Sequence, residues 1–165
     1  MTIILGIDPG TAITGYGVIE QTPNGLSTLD FGCIRTPAKL TLPKRYQIIF
    51  EAIEALITKY SPDALAIETQ FVYKNAQSAL KIGMARAMAL LAAARKDIPV
   101  HEYAPSKIKI AVTGNGNSGK EAVQKMMQLH LKLPSLPTPE DAADALAIAM
   151  CHIQNNKGAH VLRLS

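Results

Sequence analysis

One stretch near the C-terminus reads Thr138-Pro139-Glu140-Asp141-Ala142-Ala143-Asp144-Ala145-Leu146-Ala147-Ile148-Ala149-Met150. We predict that it is a helix, because Thr138 is a suitable N-cap residue and Pro139 suits the first helical position. Asp141 and Asp144 lie three residues apart and therefore project from one face of this helix. A separate apolar stripe comprises Leu146, Ala149, Met150 and Ile153. The two carboxylates are thus expected to face something other than the core.

The two acids of this helix have different explanations. Asp141 could complete a capping box with Thr138, and acids near a helix N-terminus are favoured by the helix dipole. Asp144 lies one turn further on, where capping does not explain it. Two like charges on one turn repel each other unless a cation compensates them. We therefore predict a divalent metal ion beside this helix.

Length and composition favour one ordered globular domain. The 165 residues are 48% hydrophobic and 18% charged, which is typical of a folded domain. We assign residues 1–154 to a single domain and residues 155–165 to a flexible tail. The chain has no apolar run long enough to cross a membrane and begins without a signal segment, so we expect a cytoplasmic protein with no membrane partner. Cys33 and Cys151 lack the spacing of a zinc motif and are interpreted as reduced thiols.

The positive charge of the chain is unevenly distributed. The net charge is +4, and residues 69–96 carry five basic side chains and no acid, whereas residues 103–139 carry five more and a single acid, Glu121. The basic residues are Lys74, Lys81, Arg86, Arg95, Lys96, Lys107, Lys109, Lys120, Lys125 and Lys132. A charged stretch is usually a solvated surface, but this segregation of sign also suits a protein that binds a polyanion.

The order of apolar patterns predicts an α/β domain. We expect strands at 2–8, 15–20, 29–36, 64–68 and 98–103, and helices at 45–57, 75–96, 105–112, 120–133 and 138–154. The first three strands should form an antiparallel opening with a tight turn at 23–25. The strand at 64–68 lies in an alternating α/β section, which favours a central position parallel to the first strand.

The predicted helix at 75–96 is unusually rich in Ala, Gly and Met. Much of its circumference is apolar, which a helix packed on one small sheet does not need. Two interpretations remain open: part of the helix packs against a second subunit, or the helix is buried in the core on most sides.

A glycine-rich segment imitates a nucleotide-binding motif. Gly114-Asn115-Gly116-Asn117-Ser118-Gly119 satisfies the G-x-G-x-x-G pattern, and with Lys120 it nearly satisfies the phosphate-loop pattern G-x-x-x-x-G-K-[ST]. Glu121 stands where the phosphate loop requires Ser or Thr, and the preceding residues are predicted to be helical rather than a strand. We therefore interpret the segment as a flexible, basic loop that approaches a phosphate backbone closely.

Two predicted strands end in acids, Asp8 and Glu68. Ligands of open α/β sheets sit outside the carboxyl ends of the strands, so adjacent strands would bring these acids together with Asp141 and Asp144. Each acid alone could be a turn, capping or solvated residue, but four such coincidences are less plausible than one site. Hard oxygen ligands without His or Cys indicate Mg²⁺ or Mn²⁺, and four carboxylates suit two ions.

Several motifs together resemble the RuvC family of Holliday-junction resolvases. They are Ile4-Leu5-Gly6-Ile7-Asp8-Pro9-Gly10, Gly15-Tyr16-Gly17, Ala66-Ile67-Glu68, Lys74-Asn75-Ala76, Ser78-Ala79-Leu80-Lys81 and Asp141-Ala142-Ala143-Asp144-Ala145-Leu146-Ala147. The likeness extends from about Ile3 to His152. It implies an RNase H-like fold, with a mixed five-stranded sheet and helices on both faces, and a homodimer.

The resemblance also implies an activity. It implies a Mg²⁺-dependent crossover junction endodeoxyribonuclease, which resolves Holliday junctions by symmetric hydrolysis of phosphodiester bonds in two opposing DNA strands during recombination and repair. The catalytic, metal-binding acids of the family match Asp8, Glu68, Asp141 and Asp144. These acids would hold two Mg²⁺ ions per active site, for which Mn²⁺ can substitute.

The DNA contacts and partners follow from the same resemblance. Phe71 matches an aromatic residue that stacks on an unpaired junction base. The basic residues assigned to DNA binding are Lys74, Lys81, Lys109 and Lys120. The implied partners are four-way junction DNA, a second copy of the chain and a branch-migration motor complex (RuvA and RuvB).

Two alternative functions remain. Asp8-Pro9-Gly10-Thr11 after an apolar strand also resembles the phosphate loop of actin-like nucleotide hydrolases, although a chain of this length would lack the second lobe that closes over the nucleotide. The other alternative is a non-catalytic junction-binding module. It is disfavoured because carboxylates placed against a phosphate backbone weaken binding unless metal ions compensate them.

Overall fold

The computed structural model describes residues 1–69 and 75–155. Five strands form one mixed sheet in the order β3-β2-β1-β4-β5. The strands are β1 (Thr2–Asp8), β2 (Ile13–Thr22), β3 (Gly25–Arg35), β4 (Ala64–Glu68) and β5 (Val100–Tyr103). β2 pairs antiparallel with β1 and β3, whereas β1, β4 and β5 run parallel. The predicted antiparallel opening and the central, parallel position of the fourth strand are therefore confirmed.

The hairpin between β2 and β3 is tighter than the sequence pattern indicates. Thr22 pairs with Gly25, so the connecting turn consists of Pro23 and Asn24. Gly25 has a φ of 127°, a conformation that glycine adopts readily. β3 consequently begins at Gly25 rather than at the predicted residue 29. The short polar segment that opens β3 lacks the apolar alternation on which the prediction relied.

Helices cover both faces of the sheet, as predicted. They are α1 (Leu42–Tyr60), α2 (Ala76–Ala94), α3 (Pro105–Thr113), α4 (Lys120–His130) and α5 (Glu140–Asn155). α1 and α2 pack on one face against Leu5, Ile7 and Leu65. α3, α4 and α5 pack on the opposite face against Ile4 and Ala66. No helix in the described part of the chain is long and apolar enough to span a membrane.

α5 is the central helix of its layer and is buried on nearly all sides. Every residue from Ala145 to His152 is buried, so the apolar surface is wider than the predicted stripe. The close approach of helix and sheet depends on glycines in the strands. A Cβ atom at Gly6 would collide with the carbonyl oxygen of Ala145, and one at Gly15 would collide with that of Asp141. The backbone of α5 is therefore held directly on β1 and β2.

The start of α5 differs from the prediction by one residue. The carbonyl oxygen of Pro139 accepts a hydrogen bond from the backbone N–H of Ala143 at 3.4 Å, so Pro139 takes the N-cap position and the helix begins at Glu140. The prediction of Thr138 as N-cap and Pro139 as first helical residue is wrong. The Thr138–Pro139 peptide bond is cis. Within residues 1–69 and 75–155, Thr138 makes no hydrogen bond with Asp141, so a capping box does not explain that acid.

α2 buries only one of its faces. The buried residues are alanines: Ala85, Ala89, Ala92 and Ala93. Large apolar side chains on other positions are exposed, namely Leu80, Ile82, Met84 and Leu91. The interpretation of this helix as buried on most sides is therefore wrong, because its alanine face is enough to pack on α1 and the sheet.

Candidate active site

Asp8 and Glu68 lie at the carboxyl ends of the neighbouring parallel strands β1 and β4. Ile7 is aligned with Ile67 in the register of this pair, so the two acids follow at the same level. Side chains alternate between the two faces of a strand. Ile4 and Ala66 face α5, and Asp8 and Glu68 lie an even number of residues further on. Both carboxylates therefore emerge on the face that α5 covers.

α5 supplies the other two acids. Gly15 of β2 lies opposite Asp8, and the absence of a side chain at Gly15 lets the backbone of Asp141 rest on the sheet. Asp144 lies one turn further along α5 and lines a cleft of about 410 Å³ together with Asp8 and Glu68. Asp141 does not line this cleft, but it is near enough for its charge to act on Asp8.

The remaining walls of the cleft combine two lysines with apolar side chains. Lys109 comes from α3, and Lys120 is the first residue of α4. The Nζ atom of Lys120 lies 3.3 Å from Oε2 of Glu140 and 4.0 Å from Oδ2 of Asp144. The apolar lining residues are Pro105, Ile108, Val123, Ala147 and Ile148. The cleft thus places carboxylates and ammonium groups side by side against a largely apolar wall.

Burial and mutual repulsion raise the pKa values of three acids, namely Asp8, Glu68 and Asp144. The pKa of Asp8 rises from 3.8 to about 8, first because the carboxyl group is desolvated and then because the other three acids are close. Desolvation also raises the pKa of Glu68, with a further contribution from Asp144, and desolvation raises the pKa of Asp144 itself. Lys120 opposes the shift at all three groups. More positive charge than Lys120 supplies is needed to keep all the carboxylates ionised at neutral pH.

The donor atoms and the charge of the cleft fit a hard divalent cation. Carboxylate oxygens are the ligands that Mg²⁺ and Mn²⁺ prefer, and a bound cation would offset the repulsion that raises the pKa of Asp8. In the described part of the chain, no three carboxylate, imidazole or thiol groups are already gathered closely enough to hold one ion. The side chains of Asp8, Glu68 and Asp144 would therefore have to converge on a cation as it binds.

The residues predicted to bind DNA are placed differently from one another. Lys109 and Lys120 line the acidic cleft. Lys81 is exposed on α2 and is not among the cleft residues. Its backbone carbonyl accepts a hydrogen bond from the hydroxyl of Thr11 at 3.1 Å, in the loop that follows Asp8. The predictions for Phe71 and Lys74 lie outside the described residues.

The glycine-rich segment is a helix-to-helix connection. α3 ends at Thr113 and is capped by Gly114, whose φ of 77° is left-handed, and α4 begins at Lys120. Between them, the hydroxyl oxygens of Thr113 and Ser118 lie 2.6 Å apart, and Oδ1 of Asn115 accepts a 2.9 Å hydrogen bond from a backbone N–H. A phosphate loop requires a strand before its glycines, whereas this segment follows the helix α3. The predicted helix before the glycines is therefore confirmed, and the interpretation of the segment as a loop that approaches a phosphate backbone stays a prediction.

Two residues of the site were not predicted from the sequence. Glu140 begins α5 and forms the ion pair with Lys120. Its place directly before Asp141 in an acidic turn is a sequence signal from which it could have been identified. Cys33 on β3 lies opposite Gly15, and burial followed by the nearby charge of Asp141 raises the pKa of its thiol. No sequence signal identifies Cys33, because its proximity depends on the β2–β3 register.

Comparison with known proteins assigns the chain to a family. A family model described as "Crossover junction endodeoxyribonuclease RuvC" matches residues 4–152. The chain belongs to the RuvC family. Among its RuvC relatives, the crossover junction endodeoxyribonuclease of Protochlamydia amoebophila is 53% identical over 152 residues, covering 92% of this chain and 90% of the relative. That of Vibrio campbellii is 54% identical over 157 residues, covering 95% of this chain and 90% of the relative.

A solved RuvC structure has the same architecture. T. thermophilus RuvC in complex with Holliday junction substrate matches with a TM-score of 0.91 and 32% sequence identity, covering 98% of this chain and 100% of the T. thermophilus chain. The RNase H-like fold that the sequence motifs imply, with its mixed five-stranded sheet and helices on both faces, is confirmed.

Proposed function

We propose that this RuvC-family chain is an endonuclease that resolves Holliday junctions by hydrolysing phosphodiester bonds in two opposing DNA strands. One observation carries the proposal: the acidic cleft at the ends of β1 and β4, flanked by Lys109 and Lys120, lies in a chain whose relatives are named crossover junction endodeoxyribonucleases. Carboxylates that hold cations, set beside ammonium groups, suit chemistry on a phosphate backbone. The protein would act in the cytoplasm, in DNA recombination and repair.

We further propose that Mg²⁺ is the cofactor, with two ions in each active site and Mn²⁺ as a possible substitute. The residues that would hold the ions are Asp8, Glu68, Asp141 and Asp144. When bound, the ions would acidify the attacking water and neutralise charge on the scissile phosphate. The support is the all-oxygen donor set and the elevated pKa of Asp8, which reflects an excess of negative charge in a desolvated site.

The other cleft residues have separate tasks. Lys109 and Lys120 would attract the phosphate and stabilise the negative charge that develops in the transition state. Ile108 and Val123 form apolar walls, which lower the local dielectric and so strengthen these charge interactions. Phe71, Lys74 and Lys81 are proposed to hold the junction arms outside the cleft, Phe71 by stacking on an unpaired base.

A homodimer is proposed on the basis of α2. Leu80, Met84 and Leu91 are 65%, 43% and 49% exposed and recur at helical spacing on one face. A shallow groove of about 650 Å³ along the same helix is lined by Leu80, Gly83 and Met84, among other residues. Contiguous exposed apolar surface of this kind is typical of a protein interface. A two-fold symmetric dimer would present one active site to each of the two opposing strands.

The branch-migration motor complex (RuvA and RuvB) is proposed as a partner on family membership alone. We name no contact surface for it, because the exposed apolar face of α2 is assigned to the second copy of the chain.

A nicking assay tests the proposed function. The substrates are an end-labelled, branch-migratable four-way junction and a linear duplex of the same sequence, each with and without Mg²⁺. We expect paired, metal-dependent nicks that are confined to the junction. Asp8→Asn is the matched variant: it should bind the junction, because lysines supply most of the affinity, and it should give no product.

The same assay separates the alternatives. Tight junction binding without product under any divalent metal would replace the nuclease with a non-catalytic binding module. Equal cutting of the linear duplex would remove the junction selectivity from the proposal. An active Asp8→Asn protein would refute the assignment of the acidic cleft as the active site.

A further inference from the structure

Lys120 is held between two carboxylates of different character. Its ammonium group lies 3.3 Å from Glu140 and 4.0 Å from Asp144. The side chain of Asp144 is 31% exposed and lines the cleft, whereas that of Glu140 is 54% exposed and is not among the cleft residues. Glu140 therefore attracts the ammonium group away from Asp144 and towards the outer edge of the cleft.

The location of Lys120 favours an acidic partner. Lys120 is the first residue of α4, where the positive end of the helix dipole disfavours a cation. Glu140 is the first residue of α5, where the dipole favours an acid. The two helix N-termini thus meet through this ion pair. The Lys120 side chain is also 66% exposed, so little besides Glu140 and Asp144 restrains it.

We propose that Glu140 is a positioning residue. It keeps the ammonium group of Lys120 away from Asp144 and at the mouth of the cleft, where the ammonium group can pair with a phosphate group of the DNA. The inference rests on the proposed function of the cleft. It assigns to Glu140 a role that acts through Lys120, with no direct contact between Glu140 and the reacting atoms.

Loss of Glu140 should change cleavage and binding in opposite directions. Without its 3.3 Å partner, the ammonium group of Lys120 has Asp144 as its nearest remaining acid. It would then pair with a carboxylate that the reaction needs and would be withdrawn from the phosphate. At the same time, removal of a negative charge beside the DNA backbone should strengthen binding. A mere loss of folding would weaken both.

The test is Glu140→Gln, measured in two ways. Single-turnover cleavage of the junction with saturating enzyme and Mg²⁺ should slow by about two- to fivefold, the range expected for an exposed ion pair. Junction binding without divalent metal should tighten by about twofold. Glu140→Asp should restore most of the cleavage rate. Glu121→Gln is the control, because Glu121 is 80% exposed and pairs with Lys125 on the outer side of α4; it should leave cleavage unchanged.

The Lys120→Ala background decides whether Glu140 acts through Lys120. There, Glu140→Gln should have no further effect on cleavage. An equal loss of cleavage in both backgrounds, or no loss in either, would overturn the proposal while wild-type nicking still upheld the proposed function. If the wild-type protein did not nick, the proposed function would fail, and the binding measurements would still decide. Glu140→Gln should tighten binding less when Lys120 is present than in the Lys120→Ala background, because withdrawal of the ammonium group offsets part of the gain from the lost negative charge. An equal tightening in both backgrounds refutes the positioning role.

Discussion

Replacement of Asp8 by Asn should stabilise the metal-free fold while abolishing cleavage. The pKa of Asp8 is raised from 3.8 to about 8, chiefly by desolvation and then by the neighbouring acids. An acid whose pKa is higher in the folded than in the unfolded protein binds a proton on folding between those two values, so stability falls as the pH rises from about 4 to about 8. Asn carries no charge and removes this dependence.

The size of this stabilisation follows from the shift in the pKa of Asp8. Each unit is worth about 1.4 kcal/mol, so at pH 7 the displaced titration of Asp8 would cost about 4 kcal/mol in free energy of unfolding. Asp8 is partly accessible to solvent, which screens the neighbouring charges and brings our expectation to about 2–3 kcal/mol. The gain should be largest near pH 8, should be small near pH 4 and should vanish below about pH 3, where the carboxyl group is protonated in both the folded and the unfolded protein.

Urea denaturation in EDTA at several pH values measures this effect. Mg²⁺ should reduce the difference in free energy of unfolding between Asp8→Asn and the wild type, because an ion that binds only the folded wild-type protein stabilises that protein. Asp63→Asn is the control, since the carboxylate of Asp63 accepts a 2.7 Å hydrogen bond from the backbone N–H of Ile3 and its replacement should not stabilise the fold. The electrostatic account of the cleft is refuted if Asp8→Asn is no more stable than the wild type at pH 8 without metal.

Three further predictions concern His152, Gly15 and Leu80. Because desolvation and then His101 lower the pKa of His152 from 6.5 to about 4, stability should fall by up to about 3 kcal/mol as the pH drops through that window. Urea denaturation should compare Asp8→Asn with Asp8→Asn/His152→Gln, because the opposing slopes from Glu68 and Asp144 are then the same in both proteins; a stability difference that does not change with pH would contradict the assignment. Gly15→Ala should lower the free energy of unfolding by about 1–3 kcal/mol and remove most of the nicking activity, because the added Cβ atom would collide with the carbonyl oxygen of Asp141. Thermal unfolding and the junction assay test this, and an active, equally stable variant would refute the close packing. Leu80→Glu should yield monomers in sedimentation experiments and unpaired or absent nicks, whereas an unchanged dimer would remove α2 from the interface.

The strand ends could be predicted from the sequence because their signals are local. Asp8 and Glu68 each follow a short apolar run, and the alternating α/β order placed the second run beside the first. The start of α5 could not be predicted, since both Thr138 and Pro139 are suitable N-terminal residues and only the hydrogen-bond pattern shows that the Pro139 carbonyl accepts the first helical bond. A similar limit applies to α2, whose composition permits either a core or an interface role.

Two contacts between distant elements could not be predicted from the sequence. The pairing of Glu140 with Lys120 requires that the first residues of α4 and α5 meet, and nothing in either segment specifies that meeting. Cys33 comes near Asp141 only through the register of β2 with β3. These contacts depend on how the packed layers align, which single-sequence patterns do not encode.

The acids and the lysine of the cleft are restrained in different ways. Gly6 and Gly15 admit the backbone of α5 onto the sheet, so the positions of the acids are set by packed main chain. Lys120, by contrast, reaches the cleft on a side chain that is 66% exposed. Because Mg²⁺ requires near-octahedral coordination, a fixed backbone leaves only side-chain rotation for the carboxylates to converge on the proposed ions, whereas the long, exposed side chain of Lys120 can adjust its position to a phosphate group. Main-chain packing thus fixes the backbone of the carboxylates, whereas the position of the ammonium group depends on its exposed partner, Glu140.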